Sequence, residues 1–343
     1  MFQNCTNITN IPTLNVRKLA DYCYSYMFQN CTNITNISIL PILELTIGCY
    51  YGMFYGCTSL INIPNNLLPA TKLFPYCYKY MFYNCTGIIN IPNLPAETLG
   101  IGCYDHMFYG CTSLTTIPEN LLPITQLINE CYKYMFYGCT GITKIPENLL
   151  PASILFPSCY SYMFAKCNIT NIPENLLSAT VLGDSCYEGM FYSCTNLINI
   201  PNNLLPATKL ENRCYYSMFS GCTNLTTIPE NLLPATILAP YCYYSMFSGC
   251  NNLINVPKNL LHSTKLAPYC YRQMFYNCTS LESAPSLPAS YLPRYVYYQM
   301  FYGCTNLKQL PKLTTITPFN YCYYQMFKGC TNIKLSTSKT GNY

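Results

Sequence analysis

The sequence has little charge and lacks the usual signatures of catalysis and of metal binding. Only 9% of its 343 residues are charged, tryptophan is absent, and there are two histidines, His106 and His262. No Cys-x-x-Cys pair occurs, which excludes the ligand spacing of zinc ribbons and thioredoxin-like sites. A Gly-rich phosphate loop and a nucleophile elbow are missing as well. These absences predict a protein that is not an enzyme and that uses no metal or other cofactor.

Signals for export and for membrane insertion are also missing from the sequence. Residues 1–4 carry neither a basic segment nor an apolar run, and no stretch approaches 18 consecutive apolar residues. We therefore expect neither a signal peptide nor a membrane span. Half of the residues are nevertheless hydrophobic, which is enough to fill a core and argues against disorder.

A repeat organises the whole chain. Each of the 13 methionines is followed by phenylalanine, and these pairs recur at intervals of 26 to 28 residues. Such a period indicates a repeat architecture, in which stacked units bury one continuous core. We predict a single solenoid over residues 1–335, followed by a polar C-terminal tail at residues 336–343.

One well-formed repeat, residues 214–238, predicts three segments. Residues 225–228 are β-branched or leucine and end at Pro229, which is typical of a strand of a single bridge. Residues 231–236 contain another proline, so they should form an extended or turn-like return path. Within residues 214–222, apolar residues stand at relative positions 0, 4, 5 and 8 and a glycine lies near the end. This spacing predicts about two turns of helix.

The pattern Met-Phe-x-x-Cys-x-x-Leu-x-x-Ile-Pro resembles the BspA-like leucine-rich repeat, in which an Ala-Phe pair usually stands four residues before the cysteine. The resemblance covers essentially the whole chain. It implies a leucine-rich-repeat solenoid of about 13 repeats, an α/β but β-rich right-handed superhelix with short strands on one face and short helices or turns on the other. Similar arrays in surface and phage-associated proteins of gut bacteria imply adhesion or host recognition at a cell surface, in secreted form or on a virion.

The 24 cysteines fall into two columns of the repeat. Thirteen stand four residues after a methionine and eleven stand four residues before one, with Val296 in the remaining place. A helix would hold the two cysteines of one unit ~12 Å apart, too far for a disulfide, and a column with an odd number of members cannot be paired throughout. We interpret the columns as ladders of reduced, structural cysteines, and redox or metal chemistry is the alternative. The ladders include Cys57, Cys85, Cys111, Cys139, Cys194, Cys222 and Cys250 after methionine, and Cys103, Cys131, Cys159, Cys214 and Cys242 before it.

Tyrosine is the main candidate for partner binding. The chain has 36 tyrosines, and their amphipathic rings suit contacts with proteins or glycans. The alternative is that many of them pack half-buried on a convex face. A second candidate face is the concave side, where threonine and asparagine ladders stabilise the sheet or hold a carbohydrate. The predicted binding residues are Tyr50, Tyr78, Tyr80, Tyr134, Tyr162, Tyr215, Tyr243 and Tyr271.

Charge is distributed unevenly along the chain. Residues 251–343 contain nine basic residues and one acid, a sum of +8, so residues 1–250 carry −3 of the total of +5. The positive charges are dispersed, which disfavours a nucleic-acid partner.

The sequence therefore predicts a non-enzymatic recognition or adhesion protein that binds a protein or glycan receptor. The alternative is a structural spacer or assembly component. Because the chain starts inside a repeat without a polar cap, it would in that case stack end to end into a filament or particle, or continue a longer chain.

Overall fold

The computed structural model describes residues 1–12, 14, 16, 18–40, 44–313 and 317–334. The predicted tail at residues 336–343 lies outside these ranges. The described residues form a stack of repeats in which each repeat hydrogen-bonds mainly to the next one along the chain. The solenoid predicted from the methionine-phenylalanine period is confirmed.

The most regular part of each repeat is a ribbon of overlapping turns, seen clearly at residues 211–222. Its amides alternate between two kinds of hydrogen bond. The Met218 amide donates to the Tyr215 carbonyl three residues earlier (3.3 Å), whereas the Phe219 amide donates to the Met246 carbonyl of the next repeat (2.9 Å). Because every second amide is used between repeats, the ribbon is both locally closed and bonded to its neighbour.

The predicted helix at residues 214–222 is wrong, and no α-helix occurs in the part of the chain that the structure describes. Every fourth residue of the ribbon has a left-handed backbone, with φ of 55° at Arg213, 51° at Ser217 and 75° at Gly221. A positive φ at the third position of a turn interrupts any helix and suits a type II turn. The apolar pairs therefore follow a period of four residues, set by these turns, rather than the helical period of 3.6.

Strands are minimal in this fold. β1 (Tyr291–Leu292) and β2 (Thr317–Pro318) pair in parallel, with Tyr291 opposite Thr317. Single parallel bridges link other repeats at the column nine residues before methionine, for example Gln126 to Ile154 and Ile154 to Val181. In the repeat of residues 214–238 this column is Ile237, directly after the predicted return path at residues 231–236. That path begins with a turn, in which the Leu232 amide donates to the Pro229 carbonyl (3.3 Å), and then leads to the bridge.

The strand predicted after the second cysteine of each repeat is confirmed only in the first repeats. There Asn10, Asn36 and Asn62 form consecutive parallel bridges. At residues 225–228 the chain is extended without an assigned strand, although the Thr226 amide donates to the Ile198 carbonyl of the preceding repeat (3.2 Å). The proline that follows cannot donate, which limits pairing to single bonds.

The core is built from two rows of stacked rings beneath the turn ribbon. The phenylalanines that follow methionine stack from Phe2 to Phe327 with centroids 5.5–6.1 Å apart. The second row consists of the tyrosines three residues before methionine, which follow the first cysteine or, at Tyr297, Val296. It runs from Tyr24 to Tyr323 with centroids 5.7–6.1 Å apart. Leucines and isoleucines of the extended segments fill the remaining interior. Within the described ranges, the protein has no helix with the length and apolarity needed to cross a bilayer.

Candidate functional site: the tyrosine rows of the turn face

Five of the eight tyrosines predicted to bind a partner lie in the core. Tyr50, Tyr78, Tyr215, Tyr243 and Tyr271 are each at most 2% exposed and belong to the inner tyrosine row. They cannot offer a contact surface, so the structure contradicts their assignment as binding residues. The reason is the four-residue period of the turns, which directs each Cys-Tyr pair inward together with each Met-Phe pair.

The other three predicted tyrosines, Tyr80, Tyr134 and Tyr162, lie partly exposed on the outer side of the turn ribbon, here called the turn face. Each stands directly before a methionine. The Tyr134 and Tyr162 rings stack 4.9 Å apart and 1° from parallel, and His106 continues the row at 4.4 Å from Tyr134. Burial, helped by the Glu188 carboxylate, raises the pKa of Tyr134 to about 12, so this phenol stays protonated at neutral pH.

A second outer row, of tyrosines two residues after methionine, runs beside these residues. Consecutive rings of Tyr55, Tyr83, Tyr109 and Tyr137 lie 4.4–4.5 Å apart and 8° from parallel. This row is tighter than the core rows. We refer to the two rows together as the N-terminal tyrosine cluster, which comprises Tyr55, Tyr80, Tyr83, His106, Tyr109, Tyr134, Tyr137 and Tyr162.

The turn face carries another cluster towards the C-terminus, in different columns of the repeat. Tyr241, Tyr269, Tyr295 and Tyr321 stand five residues before methionine and stack at 4.5–5.0 Å. A neighbouring row stands two residues before methionine and contains one arginine. We call these rows the C-terminal tyrosine cluster, which comprises Tyr216, Tyr241, Tyr244, Tyr269, Arg272, Tyr295, Tyr298, Tyr321 and Tyr324.

Small residues separate the two clusters within the rows that carry the N-terminal one. In the repeats of Met190, Met218 and Met246 the position before methionine holds glycine or serine. In the repeats of Met218 and Met246 the position after Met-Phe also holds serine. The turn face thus presents two distinct aromatic areas. The small residues are Gly189, Ser217, Ser245, Ser220 and Ser248.

One acid-base cluster on the turn face was not predicted from the sequence. The Asp105 carboxylate is 1% exposed and lies 2.7 Å from Lys79 Nζ and 2.5 Å from His106 Nδ1. Partial burial acts to lower the pKa of Lys79, but Asp105 outweighs it and raises that pKa. Among the described residues no hydroxyl or thiol hydrogen-bonds to His106. The signal was the adjacency of Asp105 and His106 in the chain.

The cysteines after methionine form a hydrogen-bonded ladder. From Cys31 to Cys330, each thiol of this column donates to the carbonyl of a phenylalanine in the preceding repeat, as Cys139 does to Phe108 at 3.0 Å. The described part of the chain contains 12 such bonds, with lengths of 2.9–3.3 Å. Burial raises the pKa of Cys139 to about 12, so the thiol is a protonated donor. These contacts give cysteine a specific role at this column in the repeats from Cys31 onward.

The cysteines before methionine behave as small apolar residues. From Cys49 to Cys270 none donates to a carbonyl of a neighbouring repeat in the part of the chain that is described, and Val296 fills the same column at 0% exposure. All 24 cysteines are free. The helix on which the distance argument against disulfides rested does not exist, whereas the odd number of cysteines in each column still excludes pairing throughout a column. In the same described ranges no three His, Cys, Asp or Glu side chains come together as metal ligands.

The second histidine lies far from the turn face. His262 is exposed and lines a groove of about 670 Å³ on the return path, together with Asn203, Pro206, Glu230 and Pro234. The surface formed by the extended segments after the second cysteine of each repeat is called the strand side here. The side-chain ladders predicted for this surface are formed at some of the repeats. Ser283 donates to Asn255 Oδ1 at 3.2 Å, for example.

Comparison with known families matches the model of the BspA type leucine-rich repeat region to residues 24–149, 120–254 and 158–334, which together span most of the chain. The chain belongs to the BspA-type leucine-rich repeat family. A comparison with curated proteins found no match.

Solved structures similar to this BspA-type chain include a leucine-rich repeat protein from Bacteroides ovatus, with 20% identity over 97% of this chain and 85% of that one, at a TM-score of 0.47. Another is a leucine-rich cell surface protein from Faecalibacterium prausnitzii, with 17% identity over 96% and 88%, at a TM-score of 0.48. A leucine-rich repeat protein from Eubacterium ventriosum shares 15% identity over 92% and 82%, at a TM-score of 0.37.

Proposed function

We propose that this BspA-type protein is a non-enzymatic recognition or adhesion protein that binds a protein or glycan receptor through the tyrosine clusters of its turn face. One observation carries the proposal. The fold already has two complete aromatic rows in its core, yet it places further rows of partly exposed tyrosines outside them. Stacking is expected to fix these outer rings, so a partner meets a large amphipathic area at low entropy cost.

The columns themselves show that tyrosine is not required there for folding. The position two residues after methionine holds Gln29, Ser220 and Ser248 in other repeats, and the position before methionine holds Gly52. The repeats with and without outer tyrosines have the same ribbon of turns. Since folding does not require tyrosine at these columns, the outer tyrosines are available for binding a partner.

A location at a cell surface, or outside the cell, fits this role and is typical of the family. Nothing in the family assignment favours a virion. Buried thiols with raised pKa are compatible with an oxidising exterior, because the thiolate is the reactive form.

Binding to arrays of glycans and to intact host or bacterial cells tests the proposal. The triple variant Y83S/Y109S/Y137S replaces three of the four tyrosines of one outer row by the residue found at the same column in Ser220 and Ser248, so folding should be retained. We expect it to lose most of the binding that the wild type shows.

The matched control changes the strand side instead. Ile61 and Ile89 are 46% and 47% exposed, and their column holds threonine at Thr115 and Thr143. The variant I61T/I89T should bind as the wild type does. Loss of binding in this control but not in the tyrosine variant would move recognition to the strand side. Concentration-dependent polymers without any ligand would instead favour a structural spacer or assembly component.

A further inference from the structure

An arginine replaces a ring in the C-terminal tyrosine cluster. The column two residues before methionine holds Tyr216, Tyr244, Arg272, Tyr298 and Tyr324 in five successive repeats. The guanidinium carbon of Arg272 lies 5.3 Å from the ring centre of Tyr244 and 4.3 Å from that of Tyr298. The guanidinium therefore occupies the place of a tyrosine ring between two others, within the range of cation–π attraction.

The neighbouring row completes the surroundings of this cation. The guanidinium carbon of Arg272 is also 5.9 Å from the centre of the Tyr269 ring and 5.8 Å from that of the Tyr295 ring, both in this row. Arg272 Nε is buried without a hydrogen-bond partner, while the side chain as a whole is only partly buried. Four rings thus surround one partly desolvated cation, whose Nε has no hydrogen-bond partner among the described residues.

Arg272, like Arg294 and Lys328, is a cation of the turn face without a counter-ion in the described part of the chain. Among the described residues it forms no ion pair, although three other cations on this face do. These pairs are Lys79 with Asp105 at 2.7 Å, Lys133 with Glu130 at 3.0 Å and Arg213 with Glu188 at 2.9 Å. A guanidinium presents a planar fork of donors that matches a carboxylate or sulfate, so an external anion can supply the missing partner.

The charge around Arg272 also favours an anion. Arg294 lies over the Tyr269 ring at 5.6 Å and Lys328 over the Tyr302 ring at 5.8 Å. Among residues 251–334 the acid is Glu282, and it already pairs with Lys308 at 2.6 Å. The surface near Arg272 is therefore positive without internal compensation, which attracts anionic ligands.

The stacking itself indicates which kind of anion fits. Ring faces in these rows cover each other at 4.5–5.0 Å, so they are not open to the bases of a nucleic acid, which bind single-strand proteins by stacking on free faces. Ring edges and phenol groups remain, next to a chain of amides in which Gln273 donates to Gln299 and Gln299 to Gln325, both at 2.7 Å. Such groups suit a ligand rich in hydroxyls.

Building on the recognition role proposed above, we propose that Arg272 and its tyrosines bind the carboxylate or sulfate of an acidic saccharide. Calorimetry with tetragalacturonate, 3′-sialyllactose and a heparin tetrasaccharide tests this, against methyl-esterified tetragalacturonate and lactose as neutral counterparts. We expect at least one acid to bind and its neutral counterpart to bind at least ~10-fold more weakly.

The variant R272Y restores the tyrosine of its own column and should fold normally while removing the cation. It should lose at least ~10-fold in affinity, and R272K should fall in between because it keeps the charge without the fork. The control K265Q removes one exposed charge away from the tyrosine rows and should stay within about twofold of wild type.

Four results would overturn the acidic-saccharide site: no binding of any of the three acids, equal binding of the neutral counterparts, wild-type affinity in R272Y, or equal losses in R272Y and K265Q. The proposed recognition role fails separately. If R272Y leaves binding to cells or arrays intact while Y83S/Y109S/Y137S abolishes it, recognition stands and only the acidic-saccharide site is lost.

Discussion

The two cysteine columns should respond in opposite ways to the same pair of substitutions. Cys139 and Cys131 are both 0% exposed and lie in one repeat, but the Cys139 thiol donates to the Phe108 carbonyl whereas that of Cys131 donates to no carbonyl. Valine has no side-chain hydrogen-bond donor, whereas serine replaces the thiol by a hydroxyl, which is a stronger donor but a more polar group. We expect serine to be tolerated better than valine at position 139 and valine better than serine at position 131.

The magnitudes follow from the contacts. C139V loses an S–H···O bond worth ~0.5–1 kcal/mol and adds a methyl group to a filled core, so it should destabilise by about 1–2 kcal/mol. C139S should cost less than about 1 kcal/mol because a hydroxyl donates to the same carbonyl. C131V should cost below about 1 kcal/mol, as Val296 already occupies its column. C131S buries a hydroxyl without an acceptor and should cost ~1–3 kcal/mol.

Urea unfolding under reducing conditions, followed by circular dichroism, measures these differences, and calorimetry gives the matching shifts in Tm. The ranking is the decisive result, since the overpacking by valine is similar at both sites and cancels in the comparison. If serine and valine rank in the same order at both positions, the thiol-to-carbonyl ladder does not contribute to stability and the reasoning is refuted.

Three further predictions concern the turns and the thiols. S217G should stabilise the protein by ~1 kcal/mol, because Ser217 has a φ of 51°, a backbone conformation that glycine adopts without strain. The comparison variant S220G should instead destabilise the protein by ~0.5–1 kcal/mol. Equal effects of the two variants in urea unfolding would argue against the left-handed turns. In the native protein, iodoacetamide at about pH 8 should label only the three cysteines that are not buried, and after denaturation it should label all 24, as counted by mass spectrometry. Rapid labelling of more than three cysteines in the native protein would show that the others are not buried in the core. These three are Cys5, Cys23 and Cys330. Burial raises the pKa of Cys139 to about 12, so the unfolded chain loses thiol protons first as pH rises. Stability from such thiols should therefore be complete below about pH 8 and fall between about pH 9 and 12 by up to ~1.4 kcal/mol per pH unit for each of them; a urea midpoint unchanged up to about pH 10.5 would rule this out.

The sequence predicted the repeat and its core columns, but it misplaced five of the eight tyrosines predicted to bind a partner. Tyr215 and Tyr216 are neighbours in the chain, yet the first is core and the second lies on the turn face. Their burial depends on the conformation of Ser217, a residue whose left-handed φ is not encoded by its type alone. A helix and a ribbon of turns both accept apolar residues at positions 0, 4, 5 and 8, so the pattern did not distinguish them.

What the sequence by itself determined is the period, because residues that recur every 26 to 28 positions stack only on their counterparts and must bury the same columns. Only the tertiary structure decided which columns of tyrosine face the core and which face outward. Inter-repeat hydrogen bonds at every second amide impose four-residue turns on the chain, and these turns send five predicted binding tyrosines inward. The same stacking places Arg272 between tyrosine rings and leaves it without a counter-ion, a relation between repeats that no single repeat contains.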